Sequence, residues 1–257
     1  MAEVRGTRFW GLGAGEKNLT PSFQHPEPNT QYPVPSIPSP AVRPWRLPAR
    51  GLAVFHGAGN VARLSHYFLP RLLLEGKRVL FLDGANSADP RLLERFARER
   101  RVPFEQFNRG IQIARAFTCF QLTELIARTP KFLADFPAEV VIVTAFPDLY
   151  FDEDVRDWNA RVAFEQGLGN LASVAAVYDR RFFKTDKLAL IERRYNPRPP
   201  VALAVFSAIE DFAPPPARRQ FFPRLCAAAN EVWRFSVDAE NRLRLTGTQQ
   251  AVKKLNQ

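Results

Sequence analysis

The sequence predicts a three-layer α/β protein with a mainly parallel central sheet and a C-terminal antiparallel hairpin. From residue 52 onward, short apolar runs alternate with segments of helical periodicity. Some runs, such as Val140–Val143, are apolar throughout, as is typical of central parallel strands buried on both faces. The last two strand-like segments are separated by four turn residues, 238–241, which indicates a hairpin.

Each element follows from a local pattern. The apolar run Leu52–Phe55 ends in a glycine turn, and after a helical segment a second run begins at Arg78, so this stretch is a βαβ unit with parallel strands. Asp89 is expected to cap the helix that opens at Pro90, and Pro70 is expected to break or kink the first helix. The predicted strands are 52–55, 78–82, 111–115, 140–143, 201–206, 232–237 and 242–245, and the predicted helices are 63–74, 90–101, 120–136, 155–177 and 225–230.

Composition divides the chain into a proline-rich tail at 1–49, a core domain at 50–247 and a flexible C-terminal tail at 248–257. Nine prolines between positions 21 and 48 leave the first segment unable to form a helix or a sheet. It is expected to be disordered or, alternatively, to act as a docking strap. The anchors of such a strap would be Phe9, Trp10, Phe23 and Trp45.

The balance of charge predicts an anionic partner. The chain has 36 Lys and Arg against 26 Asp and Glu, a net charge of +10, which favours nucleic acid over acidic proteins or membranes. The alternative is a soluble protein that simply uses much arginine. Cys119 and Cys226 form neither a disulfide pattern nor a zinc motif. With no secretory signal and no apolar run long enough to span a bilayer, we expect a cytoplasmic protein without membrane contact.

In open parallel sheets, ligands bind at the carboxyl ends of the strands. This rule directs attention to four loops at that edge, 56–63, 83–88, 144–154 and 207–224. Asp148, Asp152, Glu153 and Asp154 lie in one of them and allow a magnesium site, although a solvated loop is the more common meaning of such a cluster. We therefore predict no metal.

Two stretches resemble the RecA/RadA superfamily of recombinases and their paralogues. They are GKRVLFLDGANSADPRLLERFARE at 76–99 and IARAFTCFQLTELI at 113–126. In that family a strand ending in Asp leads into a helix opened by Pro-x-Arg-Leu, followed by an Ala-Arg-Ala-Phe strand end. The resemblance covers about residues 50–246 and implies a RecA-like P-loop fold.

The resemblance also implies a phosphate loop of the form GxxxxGK[ST] at 57–64, where this chain has GAGNVARL. Gly57 matches the first glycine, and Gly59 lies in the same turn. Arg63 replaces the lysine that reaches the β- and γ-phosphates, and Leu64 replaces the hydroxyl that holds Mg²⁺. Arginine can neutralise a phosphate, but leucine cannot ligate a metal.

Two further positions of the family pattern differ in the same direction. Asp83 ends the second strand, but the catalytic Glu expected two residues later is replaced by Ala85. Thr144 stands where the family has an Asp that steadies Mg²⁺ through water. We therefore predict a degenerate nucleotide site at Gly57, Gly59, Arg63, Asp83 and Thr144, with no catalytic residue and no cofactor. Residual ATP binding is the alternative.

Basic residues interleaved with aromatics predict contacts to single-stranded DNA, because this strand needs charge along its backbone and ring faces for its bases. Residues 207–224 correspond in position to one of the mobile DNA-facing loops of the recombinases. The alternative is that the aromatics pack into the core while the arginines are solvated. The predicted contacts are Arg180, Arg181, Lys184, Arg193, Arg194, Arg218, Arg219 and Arg224.

Together these features predict a non-catalytic RecA/RadA-like accessory protein in DNA repair or recombination. It would bind DNA, a recombinase-like partner or a polymerase accessory protein, and its fold would allow a hetero-oligomer. The family includes the RecA-like proteins ImuA and SulA, both tied to DNA damage, and an ImuA-like accessory function fits the size of this chain. A protein-interaction module without DNA contact and an atypical nucleotide-binding ATPase are the two alternatives.

Overall fold

The computed structural model describes residues 46–48, 50–178 and 201–248. The anchors predicted for the proline-rich strap, Phe9, Trp10, Phe23 and Trp45, lie outside these residues. The described strands are β1 (Gly51–His56), β2 (Val79–Asp83), β3 (Ile111–Arg115), β4 (Val140–Thr144), β5 (Ala202–Ser207), β6 (Glu231–Val237) and β7 (Leu243–Thr248). The helices are α1 (Val61–Leu64), α2 (Leu69–Leu74), α3 (Pro90–Glu99), α4 (Phe104–Arg109), α5 (Cys119–Ala127), α6 (Thr129–Asp135), α7 (Asp157–Tyr178) and α8 (Phe221–Ala228).

The fold is α/β, with one sheet of seven strands in the order β3-β2-β4-β5-β1-β6-β7. All neighbouring strands pair in parallel except β6 and β7, which form the predicted antiparallel hairpin. The mainly parallel sheet and the antiparallel hairpin predicted from the sequence are therefore confirmed, whereas the order of the strands in the sheet was not predicted.

Side chains of the central strands enter two separate cores. On β1, Leu52 and Val54 pack with helices α5, α7 and α8, whereas Ala53 and Phe55 pack with α1 and α2 on the opposite face. Successive residues of a strand point to opposite faces, so a strand that is apolar throughout is covered on both sides. The domain consequently has the three layers that the sequence predicts.

Proline positions decide where the helices break. The predicted helix 63–74 is interrupted by a 3-10 turn at Ser65–Phe68, and Pro70 lies in the first turn of α2, where its missing N–H leaves no bond unmade. The predicted helix 120–136 is two helices, α5 and α6, with Pro130 in the first turn of the second. The short helix α4 was not predicted.

The cap of α3 is confirmed. The Asp89 side chain accepts hydrogen bonds from the backbone N–H groups of Arg91 and Leu92, at 3.0 and 3.3 Å. Helix α7 continues through Gly167, where a Cβ atom would lie 2.9 Å from the Phe146 ring. The missing Cβ of this glycine thus leaves room for a buried aromatic side chain, which is a packing reason for a glycine inside the helix.

Among the residues that the structure describes, no helix has the length and apolar character needed to cross a bilayer.

Candidate functional site

The four loops at the carboxyl ends of the strands are joined by hydrogen bonds. Gly59 N–H, after β1, donates to the Asp211 side chain after β5. Ala85 N–H, after β2, donates to Thr144 Oγ1 at the end of β4, 3.1 Å away. Ala208 N–H, after β5, donates to Asp148 Oδ2 in the loop after β4, at 2.7 Å. The sheet edge chosen by the topological rule is therefore one connected polar network.

The glycine turn joins β1 to α1, as the resemblance requires of a phosphate loop. Gly57 is buried, and a Cβ atom there would lie 2.7 Å from the backbone carbonyl oxygen of Phe235, so only glycine fits without a backbone shift. Gly59 has a φ of +72° with open space around it, so its glycine meets a conformational need. Both predicted glycines lie in this one turn.

The Gly59 amide of this turn already has a hydrogen-bond acceptor within the chain, the carboxylate of Asp211. Gly59 N lies 2.7 Å from Asp211 Oδ2 and 3.0 Å from Oδ1. In phosphate loops such amides point at phosphate oxygens, so the Asp211 carboxylate stands where an anionic ligand would receive its hydrogen bond. Sequence reasoning missed Asp211 because the contact spans 152 residues. Its only signal was an acidic residue just after a strand of the same sheet edge.

The residue before Asp211 binds the same loops together. Glu210 Oε1 and Oε2 accept hydrogen bonds from the Arg234 guanidinium, both at 2.7 Å. Glu210 Oε1 also lies 3.2 Å from His56 Nδ1 at the end of β1. Burial lowers the pKa of His56 and outweighs the opposite effect of Glu210, so His56 is neutral at physiological pH. The turn after β5 is thus held to β6 by the Arg234 ion pair, and to the loop after β1 by the Glu210 N–H, which donates to the Gly57 carbonyl oxygen at 3.4 Å.

Arg63, which the resemblance aligns with a phosphate-binding lysine, forms an ion pair within the fold. Its guanidinium donates to Asp89 Oδ2 at 2.8 Å, while Asp89 Oδ1 caps α3. The Asp89 N–H in turn donates to His66 Nε2 at 3.3 Å. This ion pair ties the segment after the glycine turn to the start of the next helix.

Asp83 and Thr144 are brought together as predicted, and their polar atoms are occupied by the protein. Asp83 is fully buried. Its Oδ1 accepts from Ser87 N–H at 2.9 Å and Thr144 Oγ1 at 3.0 Å, and its Oδ2 accepts from Ala88 N–H at 2.8 Å. Since the carboxylate shapes the loop after β2, these residues perform a structural task. An acid at position 144 would put two carboxylates in contact, which is unfavourable for both charges.

Asp148 is separated from the other carboxylates of its loop. It is buried and accepts from Ser207 Oγ at 2.5 Å, whereas Asp152, Glu153 and Asp154 are exposed. Burial raises the pKa of Asp148 to about 6 against the lowering effect of its hydrogen bonds to Ser207 and Ala208. Within the described ranges, no three His, Cys, Asp or Glu side chains form a group able to hold a metal.

The predicted nucleic-acid contacts fall into three groups. Arg180, Arg181, Lys184, Arg193 and Arg194 lie outside the described residues. Arg219 is exposed, and Arg224 is exposed but forms a two-pronged ion pair with Glu165 on α7.

The prediction for Arg218 is wrong. Its side chain is only 3% exposed, and its guanidinium donates to Asp157 Oδ1 at 2.7 Å and to the carbonyl oxygens of Tyr150, Asp152 and Val155. A guanidinium with all these acceptors is already satisfied by the protein. The sequence pattern misled because Phe221, three residues on, is buried in the core, so this face of the segment points inward.

The excess positive charge lies mainly outside the described residues. The described ranges contain 23 basic and 20 acidic residues, close to neutrality, whereas segment 179–200 contains seven basic and three acidic residues. Segment 179–200 therefore carries the largest share of the net charge, +4 of +10, and the two ends of the chain together with Ala49 carry a further +3.

The edge of the sheet thus holds acids, a hydroxyl, an arginine and backbone amides whose contacts are made within the chain. Asp148 is the described acid at this edge whose pKa is raised towards neutrality, and it is buried beneath Ser207 and Ala208. These internal hydrogen bonds hold the loops of this edge to one another. Searches of protein-family models and of curated proteins give no match to the chain.

Proposed function

We propose that the protein is a non-catalytic RecA/RadA-like accessory protein of DNA repair or recombination. It acts in the cytoplasm by binding single-stranded DNA together with a recombinase-like or polymerase-accessory partner, in a hetero-oligomer. The observation that carries the proposal is the Asp211 carboxylate on the Gly59 amide, at 2.7 and 3.0 Å. This hydrogen bond supports the interpretation of the turn as a former phosphate loop whose amide now binds a side chain of the same protein.

A nucleotide would meet several unfavourable groups at this turn. Its phosphates would have to displace Asp211 and approach the remaining negative charge, which costs free energy in a partly desolvated site. Arg63 would have to leave Asp89 to help, and Leu64 offers no oxygen to Mg²⁺. Each lost electrostatic group typically costs on the order of 10²–10³ in rate, so we expect no measurable ATP hydrolysis.

The charge distribution supports nucleic-acid binding through segment 179–200 rather than through the glycine turn. Helix α7 ends at Tyr178 and β5 begins at Ala202. Because β4 and β5 are parallel neighbours, the chain that links them must return to the amino ends of the strands. β5 therefore begins at the edge opposite the glycine turn, and we expect DNA binding through segment 179–200 not to require the turn.

The main test is a salt-dependent DNA-binding assay. We would measure fluorescence anisotropy of a labelled single-stranded oligonucleotide between about 50 and 300 mM NaCl, because multivalent phosphate contacts give a linear fall of log K with log salt. The test variant changes the five basic residues predicted in the segment to Gln. A control variant removes the same charge by changing five exposed arginines of the folded domain to Gln. The test positions are Arg180, Arg181, Lys184, Arg193 and Arg194, and the control positions are Arg91, Arg98, Arg101, Arg109 and Arg156.

We expect the segment variant to lose about tenfold or more in affinity and to show a shallower salt slope, whereas the core variant keeps most of both. Equal losses in the two variants would mean that binding follows net charge alone. The absence of binding near 50 mM salt would favour the interaction module without DNA contact, an alternative supported by the buried Arg218 and the paired Arg224. Sustained phosphate release that vanishes in Arg63→Ala would favour the atypical ATPase.

A further inference from the structure

Four large apolar side chains are exposed at the first turns of α5 and α7. Phe117 is 65% exposed, Phe120 48%, Trp158 71% and Val162 46%. We call these four residues the α5–α7 patch. Single exposed apolar residues are ordinary, but clustered ones with a polar rim are typical of interaction sites.

The two helices that carry the patch are in contact with each other. Thr123 Oγ1 on α5 lies 3.2 Å from the Ala163 carbonyl oxygen on α7, so the helices touch at this level. Phe120 lies one turn before Thr123, and Val162 directly precedes Ala163. Trp158 and Val162 are four residues apart, which places them on the same face of α7. The α5–α7 patch therefore consists of two pairs of exposed apolar side chains carried by two helices that touch.

A loop rich in carboxylates borders the patch. Asp152, Glu153 and Asp154 are exposed just before α7. Arg218 donates to the carbonyl oxygens of Asp152 and Val155, which fixes this loop against the core. Between positions 152 and 162 there are four acidic and two basic residues. In a chain with a net charge of +10, this border has the opposite sign to the protein as a whole.

The combination of apolar groups and carboxylates decides between partners. Exposed aromatic rings can stack on nucleobases, but the carboxylates would repel the phosphates that accompany them. A symmetric contact with a second copy would bring the same acidic loops close to each other. A segment that carries positive charge and apolar anchors meets neither obstacle, and complementary charge also accelerates its association.

We propose that the α5–α7 patch is a docking surface for a basic peptide segment of another protein, held by apolar anchors in the patch and by Lys or Arg against Asp152, Glu153 and Asp154. This surface is independent of the DNA-binding segment proposed above. The chemistry of the partner follows from the patch and its acidic border, and it does not depend on whether the protein binds nucleic acid.

The experiment measures peptide binding by the full-length protein. The probe is a labelled peptide of about sixteen residues with alternating lysines and two leucines four positions apart, the spacing of anchors in helix-in-groove recognition. Two companion peptides carry Ala for the leucines or Glu for the lysines. We expect Trp158→Ala to weaken the lysine–leucine peptide about tenfold, the loss of one buried aromatic anchor. Leu74→Ala, at a residue 53% exposed on α2, should leave binding unchanged.

The charged border is tested separately. The variant Asp152→Asn/Glu153→Gln/Asp154→Asn should lower affinity and flatten its salt dependence, whereas neutralising Glu94, Glu99 and Glu105 should not. The proposal is overturned if the peptide does not bind, if the alanine or glutamate peptide binds equally well, or if Trp158→Ala or the border variant binds like the wild type. DNA affinity of the same variants, measured in parallel, should be unchanged. Failure of the wild-type protein to bind DNA would count against the proposed function only, whereas loss of DNA binding in a patch variant would overturn the assignment of the patch to a basic peptide.

Discussion

Arg218 provides the sharpest test, because its predicted and observed roles demand different results. Changing it to Met keeps much of the apolar stem but removes the guanidinium. The carbonyl oxygens of Tyr150, Asp152 and Val155 lose their donor, and Asp157 loses its ion pair. A hydrogen bond to a charged group is worth about 1.5–3 kcal/mol. The ion pair is discounted because the Asp157 side chain is 56% exposed and can be hydrated.

We therefore expect Arg218→Met to lower the free energy of unfolding by about 3–5 kcal/mol, in the range found when a buried charged network loses one partner. The measurement is urea denaturation with linear extrapolation, monitored by circular dichroism. The neighbouring Arg219→Met, at an exposed residue, should change it by no more than about 0.5 kcal/mol. If Arg218→Met weakens DNA binding while its stability matches that of Arg219→Met, the structural role assigned to Arg218 is refuted.

Three further predictions concern the sheet edge. The pKa of Asp148 in the folded protein, about 6, exceeds its ordinary value of 3.8, so the free energy of unfolding should fall as pH rises. Between pH 5 and 7.5 we expect a fall of about 1.4 kcal/mol relative to Asp148→Asn. Urea denaturation that gives parallel pH curves for the two proteins would contradict this. Gly57→Ala should destabilise by more than about 2 kcal/mol through its backbone clash, and Gly59→Ala by only about 1 kcal/mol, with equal melting temperatures as the contrary result. Thr144→Asp should be less stable than Thr144→Asn at pH 7, and this difference should shrink as acid neutralises the added carboxylate. A constant difference across pH would exclude charge repulsion with Asp83.

The sequence predicted the local features of the fold well. Apolar runs located the strands, and Asp89 capped α3 as expected because its bonds go to residues two and three positions away. The order of the strands depends on long-range pairing, which periodicity does not encode. The division of α5 from α6 followed from Pro130, a signal that was present but was outweighed by the surrounding apolar spacing.

The candidate site was predicted in its positions but not in its contacts. Asp83 and Thr144 were expected at one edge, and the bond of 3.0 Å between them bears this out. Asp211 was missed because nothing near it in the chain points to Gly59. Arg218 was misjudged because a basic residue beside aromatics looks the same in sequence whether its guanidinium meets solvent or buried carbonyl groups. Burial is a property of the assembled fold.

Under the RecA-like ancestry that we propose, the bond between Thr144 and Asp83 has an evolutionary consequence. A descendant that regained an acid at position 144 would gain nothing until Asp211, Arg63 and Leu64 had also changed, yet it would bear the cost of the new repulsion at once. Because natural proteins have little stability to spare, that first step would be selected against. The internal bonds at this edge therefore make a return to nucleotide chemistry harder than its original loss.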